Sequence, residues 1–228
     1  RYCSSPVLRR IVAAKRRLAS LTYVVDDDIA AAAQTPGLEW AYRVSQIRVA
    51  RREFQELLAV ADRVVVTSPW LLERYGSSKT QLLDPPLLWS LPGTSHFRSS
   101  RCIISFHATV VHRADLEAIA PALKAIHGLR AQARIEVITT GRLPRPLRGL
   151  ERCHKRAFQP WPVYQETMVR RRRHILVVPM LDTPFNRGKS HVKVLDAAGL
   201  GAVGVYSARA PYNSVVDHGR TGLLVDDS

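Results

Sequence analysis

The chain has little sulfur. Its 228 residues include three cysteines, Cys3, Cys102 and Cys153, and two methionines. Three thiols so widely spaced make neither a disulfide framework nor a metal-ligand pattern. They read as incidental thiols in a reducing, cytoplasmic compartment. No window approaches eighteen uninterrupted apolar residues, so no transmembrane helix is expected. Residues 1–21 hold too much arginine and too short an apolar run for a secretory signal. Aromatics make up 7% of the chain. They do not interleave with the basic clusters, which weakens single-strand nucleic-acid binding. Acid is also scarce: 19 Asp and Glu stand against 34 Lys and Arg, net +15. What is present is an ordinary globular composition, 46% hydrophobic and 23% charged. That excludes a wholly disordered chain.

Only six of the basic residues are lysines. The arginine excess fits genome base composition as well as selection for a partner. A basic surface can hold nucleic acid, an anionic membrane or a phosphorylated ligand, and charge alone does not choose.

Along the chain, helical and strand patterns alternate. Ser4-Ser5-Pro6 starts a helix carrying Val7, Leu8, Ile11, Val12 and Leu18. Thr22–Val25 reads as a strand, ending in Asp26-Asp27-Asp28. A long amphipathic helix is expected over 38–61, with Trp40, Val44, Ile47, Phe54, Leu57 and Leu58 inward. Residues 63–67 read as a buried strand, and Ser68-Pro69 starts a helix that stops at Gly76. The turn-rich stretch 77–99 reads as a linker. Strands follow at 102–106, 135–139, 174–179, 202–206 and 222–225. Helices are expected at 114–129, 163–173 and 190–200. Apolar strands separated by helices argue for an α/β fold with parallel sheets covered on both faces. Ligands of open parallel sheets lie beyond the carboxyl ends of the strands. The loops after Val25, Thr67, Phe106, Thr139, Met180 and Ser207 are therefore the ones to search.

The loop after Met180 is the richest. Asn186, Arg187, Lys189 and Ser190 precede a helix whose N-terminus presents free N–H groups, a plausible anion site. Lys189, Lys193 and Asp196 are spaced to share one helix face. Two ammonium groups suit a diphosphate and a carboxylate suits a sugar hydroxyl pair. The competing reading is a solvated face with an internal Lys–Asp pair. Gly188-Lys189-Ser190 is not a Walker A end, because position 183 is Thr. Tyr212 either stacks on a ligand or packs in its loop. His107, at a strand end, either bonds a ligand phosphate, acts as a base or is satisfied locally. His112 and Asp115 read as a pair capping the next helix in preference to metal ligands. Asp26–Asp28 read as solvated or as an N-cap in preference to a cation site. Arg170–Arg173 reads as a solvated helix end.

Taken together, several segments resemble GT-B glycosyltransferases of the bacterial family 4-like kind. They are His174-Ile-Leu-Val-Val-Pro, Asp182-Thr-Pro-Phe-Asn, Gly188-Lys-Ser, Lys193-Val-Leu-Asp-Ala-Ala-Gly, Ala210-Pro-Tyr and His218-Gly-Arg-Thr-Gly-Leu-Leu-Val. Residues 61–76 resemble the end of the amino-terminal domain of such enzymes, and 106–116 the start of the second. The resemblance implies two Rossmann-like domains with parallel sheets, the first incomplete. It divides the chain into 1–83, a partial acceptor-side domain; 84–99, a linker; and 100–228, a nucleotide-sugar-binding domain. Truncation at both ends is expected. The implied donor-binding residues are Lys189, Ser190, Lys193, Asp196, Arg142, His107, Asn186 and Tyr212. No catalytic residue is assigned. The resemblance also implies that no metal or cofactor is required, basic side chains and a helix N-terminus meeting the departing diphosphate. It puts an acid eight positions before Asp196, where this chain has Gly188.

The resulting expectation is a cytoplasmic glycosyltransferase, peripheral on the inner membrane face. It would transfer a sugar from a nucleotide sugar to a cell-envelope glycan or lipid-linked acceptor. An inactive sugar-nucleotide- or glycan-binding remnant of the fold is the second reading. A basic nucleic-acid-binding protein is a distant third.

Overall fold

The computed structural model describes residues 5–88 and 90–226, with the backbone alone at Met168 and Val169. Cys3, Ser4 and the Ser228 end lie outside the described residues. The chain falls into two compact units. One holds Arg1–Pro85 with Asp182–Ser190, the other Pro86–Leu181 with His191–Ser228.

The first unit begins with α1 (Ser5–Ala14), β1 (Thr22–Val25), α2 (Ile29–Gln34), α3 (Trp40–Arg51) and α4 (Glu53–Val60). It continues through β2 (Arg63–Val66), α5 (Pro69–Tyr75) and β3 (Thr80–Leu82). The strands pair parallel in the order β1-β2-β3. Val25, Val64 and Val66 face Ile29, Phe54, Ala61 and Leu71 across one apolar core. The α5 start is as the sequence predicts: the Ser68 hydroxyl accepts from the Leu71 amide, with Pro69 in the first turn.

The long helix expected over 38–61 is two helices. At Arg52 the backbone leaves helical space, with φ −129° and ψ −70°. Trp40, Ile47 and Phe54 are seven residues apart, so on one unbroken helix they would fall nearly in line. The break separates them. Phe54 is fully buried, whereas Trp40 is 75% exposed and Ile47 36%. The short α2 has no strong apolar period, and its start is set by Asp28. That side chain accepts from the Ala31 amide at 2.9 Å.

The second unit runs β4 (Cys102–His107), α6 (Arg113–Leu129), β5 (Ala133–Ile138), β6 (Cys153–Arg156), α7 (Trp161–Arg170) and β7 (Ile175–Val178). Residues 182–190, which cluster with the first unit, carry the one-turn α8 (Pro184–Arg187). The second unit resumes with α9 (Val192–Leu200), β8 (Val203–Ser207) and β9 (Leu223–Val225). All six strands are parallel, in the order β6-β5-β4-β7-β8-β9. That is the doubly wound order, and strand order reverses between β4 and β7. Ile104, Phe106, Leu116, Ala120, Leu123, Ile135 and Val137 fill one core. Leu176, Val178, Met180, Leu200, Tyr206 and Tyr212 fill another.

Two strands escape the sequence pattern. β3 is a three-residue Thr-Gln-Leu inside the stretch read as linker, and β6 is the polar Cys-His-Lys-Arg. Both lie at sheet edges, where a strand needs no alternating apolar face. The helix expected from Ser190 begins at Val192. It ends at Gly201, whose φ of +67° is the left-handed conformation glycine adopts without strain. Among the described residues no helix is long and apolar enough to cross a membrane.

Candidate functional site

In the second unit the chemistry gathers beyond the carboxyl end of β4. His107 is the last residue of β4 and is 5% exposed. Its Nδ1 shares a 2.9 Å hydrogen bond with the Tyr164 hydroxyl of α7. Its Nε2 is buried without a hydrogen-bond partner. Burial, and then the charges of Lys193 and Arg173, hold its pKa well below the ordinary 6.5. The ring is therefore neutral at pH 7. Burial likewise pushes the Tyr164 phenol up to about 12, so it stays protonated.

Helix α9 supplies an ion pair between a half-buried lysine and a buried carboxylate. Lys193 Nζ donates to Asp196 Oδ2 at 2.7 Å. Burial works against the Lys193 ammonium, but the Asp196 charge, then the Tyr164 field and the Asp196 hydrogen bond, outweigh it, and its pKa is raised. Asp196 is 3% exposed, and its Oδ1 has no partner. A buried acceptor left unmet is costly, so a ligand or water that donates to it is favoured there. Tyr212 lies in the field of Asp196. It is fully buried, with its ring 4.8 Å from Tyr206, so it packs in its loop as one of the two sequence readings had it. Burial raises the pKa of both phenols, with the Asp196 charge a further cause.

The loops around this cluster are pinned. His112 Nδ1 meets Asp115 Oδ2 at 2.7 Å, as the pairing predicted, although the His112 side chain makes no cap hydrogen bond to α6. Asp115 Oδ1 accepts from the Leu181 amide at 2.7 Å. Ser207 accepts from the Met180 amide at 2.9 Å. The loop after β7 is thereby tied to the loops after β4 and β8. Arg142 is exposed on the loop after β5.

In the first unit, Lys189 Nζ meets Asp27 Oδ1 at 2.5 Å and lies 4.0 Å from the centre of the Phe185 ring. Arg187 pairs with Asp182 at 2.7 Å. Asn186 is buried, and its amide donates to Thr183. Ser190 is half-buried. Because α9 starts at Val192, Lys189 does not share a helix face with Lys193 and Asp196. The two groups belong to different units: Asn186, Lys189 and Ser190 to the first, His107, Arg142, Lys193, Asp196 and Tyr212 to the second.

Of the two readings of the acidic run, solvated or N-cap, the N-cap holds, and the reading of the arginine run is corrected. Asp27 and Asp28 are buried. Asp28 takes the N-cap role and also accepts from Tyr75 Oη at 2.8 Å, while Arg74 Nε lies 3.0 Å away. Arg173 is no solvated helix end, being 2% exposed. Its Nε donates to Glu136 Oε1 at 2.8 Å, and Arg156 pairs with the other oxygen of Glu136. Sequence reasoning also missed Tyr164 and Glu136. Each sits inside an otherwise ordinary helix or strand pattern, and only the tertiary fold brings its partner to it.

No protein-family model matches the chain, and no curated protein matches its sequence. Solved structures do share its fold. The Anabaena HepE structure in complex with UDP-glucose matches with a TM-score of 0.63 at 15% identity, over 97% of this chain and 62% of that one. TarM matches with a TM-score of 0.55 at 10% identity, over 90% of this chain and 40% of that one. A mutant of S. aureus TarM in complex with fondaparinux, α-GlcNAc-glycerol and UDP matches with a TM-score of 0.56 at 10% identity. These are GT-B glycosyltransferases, and the fold of this chain is of their α/β, Rossmann-like kind with parallel sheets. The chain spans less than two thirds of the length of each.

Proposed function

We propose that the chain belongs to a glycosyltransferase that binds a nucleotide-sugar donor beyond the carboxyl end of its six-stranded sheet. The sugar passes to a cell-envelope glycan or lipid-linked acceptor. The observation that carries this reading is the two unmet buried polar atoms, His107 Nε2 at the end of β4 and Asp196 Oδ1 on α9, in a unit whose sheet has the doubly wound order. A ligand with hydroxyl or amide groups would satisfy both. A cation beside them, Lys193, suits a ligand that also carries phosphate. HepE, of like fold, is solved with UDP-glucose, which supports a nucleoside-diphosphate sugar as the ligand class. In this reading Arg142 adds a donor contact, Tyr212 supports the loop behind it, and neither a metal nor a cofactor takes part.

The test is a thermal-shift series with UDP, GDP, dTDP, ADP and CMP. A ligand that binds only the folded chain raises its apparent stability, by about 2.7 kcal/mol at a hundredfold excess over Kd. One nucleoside diphosphate should shift the native chain and fail to shift Asp196→Ala. Lys193→Ala should weaken the shift. If no nucleotide shifts a folded chain, the donor reading falls.

A second reading is a chain that binds sugar nucleotide without transferring it. What favours it is Gly188, which leaves no carboxylate eight positions before Asp196. Detection of transfer or donor hydrolysis by the chain would eliminate it.

A further inference from the structure

We infer that the outer face of α3 docks on an anionic lipid surface. Helix α3 packs Val49 and Ala50 on the core but leaves other apolar residues outside. Its inner side lies on the alanine-rich α2 and buries Gln46, which is 2% exposed. Trp40, Val44 and Ile47, at i, i+4 and i+7, form a ridge on the other side. The indole is exposed at the N-terminal end, Val44 is half-buried and Ile47 is exposed near the middle.

The charge around that ridge has one sign. Residues 40–52 contain four arginines, Arg43, Arg48, Arg51 and Arg52, and no carboxylate. Arg43 lies 3.5 Å from the Ala33 carbonyl, and Arg48, Arg51 and Arg52 are exposed. Two acids lie next to the segment, and Arg52 and Arg48 lie in the field of one of them, Glu53. Glu39 precedes the helix, and Glu53 is buried, accepting from the Ser5 hydroxyl at 2.6 Å. An indole and two branched aliphatic groups flanked by guanidinium groups complement one environment on both counts. The ridge enters the headgroup–acyl boundary, and the arginines meet lipid phosphate. A nucleic-acid partner would meet aliphatic side chains between the cations, where bases and phosphates find no hydrogen bond. A protein groove would leave the exposed arginines in need of matching acids. The inference stands apart from the donor reading, since it uses none of the residues of the second unit.

The experiment is flotation of the native chain with vesicles of phosphatidylcholine alone, and with phosphatidylglycerol added at about one part in three, in about 0.1 M salt. Binding to the anionic vesicles and not to the neutral ones is expected. Ile47→Ser and the pair Arg48→Glu with Arg51→Glu should each weaken it by about tenfold or more. These side chains are exposed, and thermal unfolding checks that the variants fold. A second measurement uses Trp40→Phe, which keeps an aromatic ring. Vesicles with brominated acyl chains should quench the fluorescence of the native chain, and the variant should lose most of that quenching. The inference fails if the folded chain ignores anionic vesicles, or if the ridge variants bind as the native chain does. It fails equally if brominated lipid quenches Trp40→Phe and the native chain alike. Heparin or RNA binding unaffected by Ile47→Ser, with no vesicle binding, would assign the face to polyanions instead.

Discussion

His107 and Tyr164 share a hydrogen bond of 2.9 Å that fixes the imidazole at the end of β4 and leaves its other nitrogen buried and unmet. The pair combines a ring held neutral with a phenol held protonated. Neither carries charge near pH 7, so what they offer a ligand is a directed hydrogen bond.

That arrangement makes stability depend on pH in a definite direction. The folded pKa of His107 lies well below 6.5, so below that value the unfolded chain binds a proton that the folded chain does not. Stability should therefore fall as pH falls from 6.5 toward the folded value, by up to about 1.4 kcal/mol per pH unit. Above 6.5 this contribution is fully present. Urea unfolding on either side of 6.5 reads the slope, and His107→Gln should flatten it. An unchanged slope in the variant would assign the pH dependence to another group.

The carboxylate of Glu136 has a different role, because both its partners are arginines and one of them is almost wholly buried. Glu136→Gln leaves the Arg173 guanidinium without a counter-charge. The expected cost is about 3–5 kcal/mol, the range for breaking a buried pair by removing one partner. Arg156→Gln removes the half-exposed partner and should cost about 1 kcal/mol or less. Equal costs for the two substitutions would show that Arg173 finds water or another acceptor.

Most of the fold is legible in the sequence because its signals are local. The valine and isoleucine runs at 22–25, 63–66, 102–107, 133–138 and 175–178 announce strands, and Ser68-Pro69 announces a helix start. The parts that escape are decided by contacts distant in the chain. Nothing near Arg52 marks a helix break, since neither Gly nor Pro is there. The break follows from Phe54 entering the core while Gln46 packs on α2. For the site, the carboxyl-end rule led to His107 and to the loop after Met180, and residue type singled out Lys193 and Asp196. The partner of His107, however, comes from α7, 57 residues away. The partner of Lys189 comes from the acidic run after β1, 162 residues away. Spacing cannot show such pairs.

The Lys193–Asp196 pair separates binding from stability. Lys193→Met alone strands a buried carboxylate and should destabilise the chain by about 3–5 kcal/mol. Lys193→Met together with Asp196→Leu removes both charges at once. Replacing a whole buried pair by apolar groups is often neutral, so the double variant should recover most of the loss. It should nevertheless fail to respond to any nucleotide, because the acceptor and the cation are both gone. Chemical denaturation and the nucleotide thermal shift, run on the same three proteins, read the two effects independently. A double variant no more stable than Lys193→Met would mean that Asp196 is held by groups other than Lys193.

Gly188 is the place where the chain departs from the acid expected there, and its surroundings crowd any side chain at that position. A β-carbon at 188 would stand 3.0 Å from the β-carbon of Asp28 and 3.4 Å from its amide nitrogen. Asp27 and Asp28 add two carboxylates to the first unit beside it. Gly188→Ala therefore tests the steric part, with an expected loss of about 1–3 kcal/mol for forcing a methyl group into a packed contact. Gly188→Glu adds a third carboxylate near the other two and should lose more than the alanine variant. The difference between the variants should shrink in high salt to the extent that it is electrostatic. Thermal unfolding of both, at low and high salt, decides the matter. If Gly188→Glu is as stable as the native chain, the contact with Asp28 yields readily and packing is not what keeps a glycine at this position.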